Sequence, residues 1–285
     1  MPGSLRARAG AITILDGPMG TELAARGVPT PAPEWSAWAL LHQPEVVAEI
    51  HAGYAAAGAT VHTANTFRTK QRSLGASWAR AAEQAVQIAR AALPRGHRVA
   101  GSIAPLEDCY RPDLSPPNPR PEHRELARAL ARAGVDVLLC ETFPHPDEAL
   151  VAVEEAVATG IETWVALTAG PRADLLSPAA LARAAHRCAQ AGARACLVNC
   201  VAASACSPYV EALGGLPVPI GVYANAGDPL EGLGWSRTHA AEGASQYVEL
   251  ARAWVAAGAS IVGGCCGTGP AHIRALADAF RPLAP

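Results

Sequence analysis

The chain has 285 residues, of which 50% are hydrophobic and 17% charged, a composition that excludes an intrinsically disordered protein. Its 23 Lys and Arg residues nearly balance 25 Asp and Glu residues, so the net charge of −2 does not support nucleic-acid binding. No apolar run approaches the roughly 20 residues of a membrane span, and the N-terminus lacks the apolar core of a secretory signal. We expect a cytoplasmic protein that binds neither nucleic acid nor membranes.

Short apolar runs alternate with Ala-rich segments along the chain. The runs are nearly continuously apolar rather than alternating, which is typical of strands buried on both faces. They span residues 13–16, 59–64, 98–104, 136–141, 163–168, 195–200, 219–224 and 260–265. The segments between them have the Ala, Leu, Arg and Glu content of amphipathic helices. The predicted helices span residues 44–57, 78–93, 122–133, 146–159, 178–191 and 244–257.

Four of the helical segments end in an Ala-Gly pair, and a glycine just past a helix is the usual left-handed cap. These glycines are Gly58, Gly134, Gly192 and Gly258. Eight strand–helix units predict a single (β/α)₈ TIM barrel domain over residues 1–285, with its site at the C-terminal ends of the strands. A doubly wound open sheet is the alternative. Two long connections, residues 20–43 and 106–121, follow strands and therefore belong to the same face.

The ends of the predicted strands carry the polar residues. These are Asp16, Glu141, Asn199 with Cys200, Asn225 before Ala226 and Gly227, and Cys265 with Cys266. Because the strand ends of a barrel converge on one mouth, the three cysteines are expected to lie together. Thiolates suit Zn²⁺, and three protein ligands leave a fourth position for water or substrate. The alternative is that Cys200, Cys265 and Cys266 are ordinary buried thiols.

The eight cysteines do not indicate a disulfide framework, because such frameworks belong to short secreted chains. We expect free or metal-bound thiols. Vicinal Cys265 and Cys266 can reach one ion only where the backbone bends, and we attribute that bend to the flanking Gly263, Gly264 and Gly267.

The order of these motifs resembles the homocysteine S-methyltransferase family. That family includes the betaine– and S-methylmethionine–homocysteine methyltransferases and the homocysteine-binding module of cobalamin-dependent methionine synthase. The matching segments are Leu15-Asp16-Gly17, Gly20-Thr21-Glu22-Leu23, Thr66-Phe67, Gly101-Ser102, Glu141-Thr142-Phe143, Asn199-Cys200, Asn225-Ala226-Gly227 and Gly263-Gly264-Cys265-Cys266-Gly267-Thr268. The resemblance covers essentially the whole chain.

The resemblance implies a zinc ion held by Cys200, Cys265 and Cys266, with the sulfur of homocysteine completing the site. Zinc deprotonates a bound thiol, and the thiolate is the nucleophile. The implied reaction is in-line transfer of a methyl group from an onium donor to homocysteine, which gives methionine. Asn225 is a candidate fourth ligand in the absence of substrate, as some family members suggest, or a turn-stabilising amide.

Asp16 and Glu141 are the candidate ligands of the α-ammonium group of homocysteine, since carboxylates bind ammonium by charge-assisted hydrogen bonds. A turn residue is the alternative for Asp16, because Asp-Gly is a common turn dipeptide. A buried ion pair is the alternative for Glu141.

Trp35 and Arg68 are the residues that indicate which methyl donor is used. Relatives that use betaine or S-methylmethionine have a tryptophan at Trp35, where an aromatic face can hold an onium group. A loop anchor is its alternative. Betaine enzymes have tyrosines at Arg68 and Thr142, and a cation at residue 68 would repel betaine. Arg68 either binds a donor carboxylate or lies at the surface. S-methylmethionine or S-adenosylmethionine is therefore favoured over betaine.

Other readings remain open at this point. A partner could supply methylfolate or methylcobalamin, and the acceptor could be another thiol or a selenol. A zinc- or thiol-binding sensor or a silent paralogue would keep the fold without catalysis. A metal hydrolase is disfavoured because the nine histidines show no HxH or HExxH pattern, and His62, His145 and His272 are expected to be local hydrogen-bonding or surface residues. Assembly into a homo-oligomer is left open.

Overall fold

The strands form a barrel. The computed structural model describes residues 11–226, 233–234 and 240–281. Within them, eight parallel strands follow the order β1-β8-β7-β6-β5-β4-β3-β2. The strands are β1 (Thr13–Ile14), β2 (Val61–Ala64), β3 (Arg98–Ile103), β4 (Val137–Phe143), β5 (Glu162–Leu167), β6 (Ala195–Ala202), β7 (Ile220–Asn225) and β8 (Ala259–Gly264). A parallel bridge between Leu15 and Val61 brings the two ends of this order together. The predicted (β/α)₈ TIM barrel is confirmed, and the open-sheet alternative is wrong.

The helices surround the barrel. They are α1 (Met19–Ala25), α2 (Ala37–His42), α3 (Pro44–Ala57), α4 (Gln71–Leu74), α5 (Trp78–Ala92), α6 (Arg120–Ala133), α7 (Pro146–Val157), α8 (Pro178–Gln190), α9 (Ser207–Leu213), α10 (Ala240–Ala256) and α11 (Pro270–Ala279). All six predicted helices are present, with ends that shift by at most four residues. None of the helices in the described part of the chain is long and apolar enough to cross a membrane.

Five helices were not predicted: α1, α2, α4, α9 and α11. Four of them have seven residues or fewer, too short for a helical period to stand out from the sequence. The connection at residues 20–43, expected as a long loop, therefore contains most of α1 and all of α2. The glycine caps are as predicted: Gly58 and Gly134 end α3 and α6 with φ of 107° and 84°.

The apolar core has two layers because successive side chains of a strand point to opposite sides. Leu139 and Leu197 belong to the cluster inside the barrel, whereas Leu138 and Cys140 pack in the larger cluster between the barrel and the helices. The inner cluster ends at the C-terminal mouth of the barrel with Cys200, Tyr223 and Cys265. Cys140 thus points away from the lumen, as expected, and its neighbour Glu141 lines the mouth.

Candidate active site and metal centre

A cavity of about 380 Å³ opens at the C-terminal ends of the strands. Strand ends contribute Asp16, Glu141, Cys200, Tyr223 and Cys265 to its wall. The connections after the first three strands contribute further residues, which include Gly20, Trp35, Phe67, Arg68, Asp108 and Tyr110. Every predicted site residue except Asn225 therefore lines one cavity.

The sulfurs of Cys200, Cys265 and Cys266 all lie within 4.8 Å of one another. Cys200 and Cys265 are joined in a disulfide, with their Cα atoms 5.7 Å apart. The expectation that all eight cysteines are free or metal-bound is therefore wrong for this pair. The ends of β6 and β8 hold the two sulfurs close enough to bond, and the same closeness would let the two thiolates share an ion after reduction.

The three cysteines fit a zinc ion in their donor chemistry and spacing. A tetrahedral zinc with Zn–S bonds of about 2.3 Å needs sulfurs about 3.8 Å apart. The bonded sulfurs of Cys200 and Cys265 would have to separate on reduction to reach this distance, and all three sulfurs already lie within 4.8 Å of one another. Three soft thiolates select zinc over hard cations such as Mg²⁺. Binding requires the reduced state, because the thiolate is the ligand.

The bend at the vicinal cysteines differs from the one expected. Only Gly267 adopts a left-handed conformation, with φ of 81°. Gly263 and Gly264 are instead sites of close approach, where a Cβ would meet the side chains of Leu15 and Thr268. Thr268 closes the turn, since its backbone N–H and its hydroxyl both donate to the Cys265 carbonyl, at 3.1 and 2.8 Å.

Asn225 lies at the end of β7, beside the vicinal cysteines. The N–H of the next residue, Ala226, donates to the Cys266 carbonyl at 2.9 Å. Asn225 is buried, and its Oδ1 has no hydrogen-bond partner among the described residues. A buried oxygen without a partner is compatible with a ligand role. Gly227, which belongs to the same motif, lies outside the described residues.

Cys200 makes polar contacts with its neighbour Asn199 and with Thr142 of β4. The Asn199 amide donates to the Thr142 hydroxyl at 2.8 Å and to the Cys200 sulfur at 3.5 Å. Thr142 and Cys200 both have positive φ, 62° and 52°, although neither is glycine. Such backbone conformations cost free energy and concentrate at functional sites. The sequence analysis identified Thr142 only as a difference from betaine enzymes and did not predict its contacts with Asn199 and Cys200.

Asp16 and Glu141 are buried carboxylates of the cavity wall. Asp16 Oδ2 accepts a hydrogen bond from the Thr63 N–H at 2.9 Å. Glu141 accepts one from the Ser102 hydroxyl and one from the Tyr223 hydroxyl, the latter at 2.9 Å. Burial raises the pKa of both carboxyl groups, and for Asp16 the rise is large.

Neither carboxylate has a Lys or Arg partner in the described parts of the chain. The buried ion pair considered for Glu141 is therefore not present there. Tyr223 was missed by the sequence analysis. The available signal was a tyrosine within an otherwise apolar buried strand, because a buried tyrosine hydroxyl usually needs a partner.

Aromatic residues and Arg68 form the part of the wall that comes from the long connections. The rings of Trp35 and Phe67 meet edge to face, with centroids 5.8 Å apart. Gly20 packs so closely under Trp35 that a Cβ there would meet the indole ring. Arg68 lines the cavity rather than the outer surface, and its Nε is buried without a partner in the described residues. Asp108 faces the same cavity.

The histidines only partly match expectation. His145 accepts a hydrogen bond from the Glu148 N–H at the start of α7, and His272 accepts one from the Gly269 N–H at the start of α11. Both are local contacts, as expected, although buried His272 also contacts the Leu233 carbonyl through its Nε2, 39 residues away in sequence. His62 is fully buried, and its Nδ1 lies 4.0 Å from Asp16 Oδ2. Burial lowers the pKa of His62 to about 3 and that of nearby His51 to about 4.

Comparison with known proteins identifies the family of the chain. A family model for homocysteine S-methyltransferase matches residues 13–280. The chain belongs to the homocysteine S-methyltransferase family. It is 32% identical to homocysteine S-methyltransferase from Escherichia coli K12 over 93% of this chain and 94% of the relative. It is also 32% identical to homocysteine S-methyltransferase YbgG from Bacillus subtilis 168, over 95% of each chain.

Solved structures agree with the family assignment. The metallated form of the E. coli homocysteine methyltransferase MmuM superposes with a TM-score of 0.78 at 28% identity, covering 95% of this chain and 96% of MmuM. Dihydropteroate synthase from Stenotrophomonas maltophilia, at 16% identity and a TM-score of 0.56, shares the fold alone. Membership of this family identifies the chain as a methyltransferase, as the sequence predicted.

Proposed function

We propose that the enzyme transfers a methyl group from a sulfonium donor to the sulfur of homocysteine, bound at a zinc ion, and releases methionine. One observation carries the proposal: three cysteine sulfurs share one cavity with two buried carboxylates that have no Lys or Arg partner among the described residues. The names of the relatives support the methylation of homocysteine, and the metallated form of MmuM supports a metal.

Cys200, Cys265 and Cys266 would hold the zinc, and Asn225 is the proposed fourth ligand when substrate is absent. The ion would supply a deprotonated, electron-rich substrate sulfur at neutral pH. The protein contributes position, since Thr142 and Asn199 hold the Cys200 sulfur and Thr268 holds the turn at Cys265.

Asp16 and Glu141 would bind the α-ammonium group of homocysteine. Their burial without a cation is unfavourable for the charged carboxylates, and a bound ammonium would supply the missing charge. Tyr223 and Ser102 each donate a hydrogen bond to one oxygen of Glu141, so that the orientation of this carboxylate does not depend on the substrate.

The cavity favours a small sulfonium donor, with S-methylmethionine ahead of S-adenosylmethionine. Its volume of about 380 Å³ is near the lower end of ligand sites, which run from roughly 300 to 1,000 Å³. Two small amino acids fit such a space better than homocysteine with an adenosylated donor. Trp35 lines the cavity and is the proposed aromatic partner of the sulfonium. The Arg68 guanidinium lies over the Phe67 ring, 5.5 Å from its centroid, and can bind a donor carboxylate through two hydrogen bonds.

The proposal also covers the domain organisation, the location and the partners of the protein. We propose a single domain over residues 1–285 that acts in the cytoplasm on small molecules, with neither nucleic acid nor membrane as partner. A homo-oligomer stays open. The small net charge of −2 supports the absence of a nucleic-acid partner.

The test is methionine formation by reduced, zinc-loaded protein with homocysteine and one donor at a time. The donors are S-methylmethionine, S-adenosylmethionine, betaine, methylfolate and methylcobalamin. We expect turnover with S-methylmethionine and none with betaine, and loss of turnover when zinc is chelated. Turnover only with betaine, methylfolate or methylcobalamin would overturn the donor assignment. No turnover with any donor at one bound zinc per chain would indicate another thiol or selenol acceptor, or a binding role.

A further inference from the structure

A second group of metal-ligating side chains lies between the barrel and α3, next to the cavity. His62 comes from β2, His51 from α3, and Asp16 follows β1. One ligand atom of each residue lies within 4.8 Å of those of the other two. Both histidines are fully buried, and Asp16 is only 5% exposed.

The hydrogen bonds of His62 show which of its nitrogens is available. Its Nε2 lies 3.2 Å from the Ala59 carbonyl, and a carbonyl can only accept, so Nε2 carries the proton. The same nitrogen lies 3.0 Å from Nδ1 of His97. The Nδ1 lone pair of His62 therefore faces Asp16 Oδ2 at 4.0 Å with no donor between them.

His51 adds a second buried imidazole to this group. Neither of its ring nitrogens has a hydrogen-bond partner in the described parts of the chain, although the ring is fully buried. Each neutral imidazole offers one lone pair and one N–H, and Asp16 offers a carboxylate oxygen, but the His51 N–H donates to neither neighbour. Buried lone pairs that converge without hydrogen bonds between them are satisfied by a cation or by a shared water.

We propose that Asp16, His51 and His62 form a second site for a divalent transition-metal ion such as Zn²⁺ or Co²⁺. Two imidazoles and one carboxylate are a common ligand set for these ions. An ion about 2.1 Å from each atom in tetrahedral geometry needs ligand atoms about 3.4 Å apart. A rotation of the His62 ring that shortens the observed 4.0 Å separation from Asp16 by about 0.6 Å brings this pair to the required distance, and the ligand atom of His51 lies within 4.8 Å of both.

The site has a consequence for activity, which rests on the function proposed above. Asp16 cannot give its full charge to both an ion and the ammonium group of homocysteine. Occupancy of the second site therefore weakens homocysteine binding, by roughly 10- to 100-fold if a hydrogen bond to a charged group is lost. The ion does not disturb the three thiolates, but it competes with homocysteine for Asp16. A metal ion at this second site therefore acts as an inhibitor.

The test is a Co²⁺ titration of the reduced, metal-free protein, followed by absorption spectroscopy. The first equivalent binds the three thiolates and gives an intense thiolate-to-cobalt charge-transfer band. We expect a second equivalent that adds ligand-field absorption without increasing that band. Saturation at one equivalent would overturn the proposal and would leave a shared water as the partner of the two histidines.

Cobalt titration of variants shows which residues bind the second equivalent of Co²⁺, without a measurement of activity. His62→Gln and His51→Gln are expected each to lose it, while His186→Gln, at an exposed position of α8, retains it. A Cys200→Ser/Cys265→Ser double variant loses the charge-transfer band and keeps the second equivalent. Retention of two equivalents in both His62→Gln and His51→Gln would place the ion elsewhere.

A kinetic measurement checks the consequence separately. Excess Zn²⁺ should raise the KM for homocysteine in the wild-type enzyme, and His62→Gln should abolish that rise. If the protein does not methylate homocysteine at all, the stoichiometry and spectra still decide whether the site exists. If it does, an unchanged KM at two bound equivalents would contradict the inhibitory role.

Discussion

The Tyr223 hydroxyl donates a 2.9 Å hydrogen bond to Oε2 of Glu141, across the barrel from β7 to β4. The Ser102 hydroxyl donates to the other oxygen. Glu141 is thus held at both oxygens in a buried position where no Lys or Arg of the described chain neutralises it. Its orientation is set before substrate arrives, which is the condition for strong binding of an ammonium group.

We expect Tyr223→Phe to raise the KM for homocysteine about tenfold, with a smaller effect on kcat, because Glu141 loses one of its two hydrogen bonds. Initial-rate kinetics at saturating donor measure the effect. Tyr209→Phe is the control, since the Tyr209 hydroxyl donates only to backbone carbonyls of Ala173 and Leu176. Equal KM values in the two variants would show that the Tyr223–Glu141 contact does not support substrate binding.

Cys265→Ser should remove a thiolate from the metal centre. We expect zinc affinity to fall by more than the roughly 10- to 100-fold typical of a lost outer-sphere contact, and methyl transfer to fall below detection. Bound zinc is measured by a competing chelator under reducing conditions. Cys188→Ala, at a buried position of α8, is the control and should retain one zinc per chain. Full activity of Cys265→Ser without bound zinc would contradict the proposed function.

Arg68→Lys retains a positive charge and loses the planar fork that can bind a carboxylate at two points. We expect the KM for S-methylmethionine to rise about tenfold while the KM for homocysteine stays the same. Arg128→Lys, on α6 and away from the cavity lining, is the matched control. A parallel rise in both KM values would mean that Arg68 supports the whole cavity and does not select the donor.

Burial of His51 makes stability depend on pH. The pKa of this ring is lowered to about 4 from an ordinary 6.5, so between these values the unfolded chain binds a proton that the folded chain does not. Stability therefore falls as pH falls through this window, by about 2 kcal/mol between pH 7 and pH 5 from this ring alone. Denaturant unfolding of metal-free protein measures it.

His51→Gln should lose that share of the pH dependence, because the new side chain does not titrate. The exposed-position variant His186→Gln should follow the wild-type curve. Parallel curves for His51→Gln and the wild type would show that the ring is protonated in the folded protein as readily as in the unfolded chain.

Sequence alone located most of the candidate site, because its residues stand at strand ends that a barrel must bring together. Asp16, Glu141 and the three cysteines needed only the strand count and the topology to be placed in one cavity. The contact between Tyr223 and Glu141 joins positions 82 residues apart, and its formation depends on which side chains reach across the lumen. No local pattern in either strand specifies that distance.

Short helices and buried histidines were harder to predict for other reasons. α1 and α2 are too brief to show a helical period, so the segment around Trp35 looked like a loop. His62 sits in an apolar strand, and only the packing of α3 against it reveals His51 as its neighbour. The disulfide between Cys200 and Cys265 was not predicted. Chain length and cellular compartment indicate only whether disulfides are common in a class of proteins, and they do not show whether two particular sulfurs lie close together.

The indole of Trp35 packs directly against the backbone of Gly20, with no room for even a methyl group between them. Any larger residue at position 20 would force the ring out of place and change the shape of the cavity that Gly20 and Trp35 line. Donor selectivity can thus be altered by a substitution at Gly20, which acts through the position of the Trp35 ring.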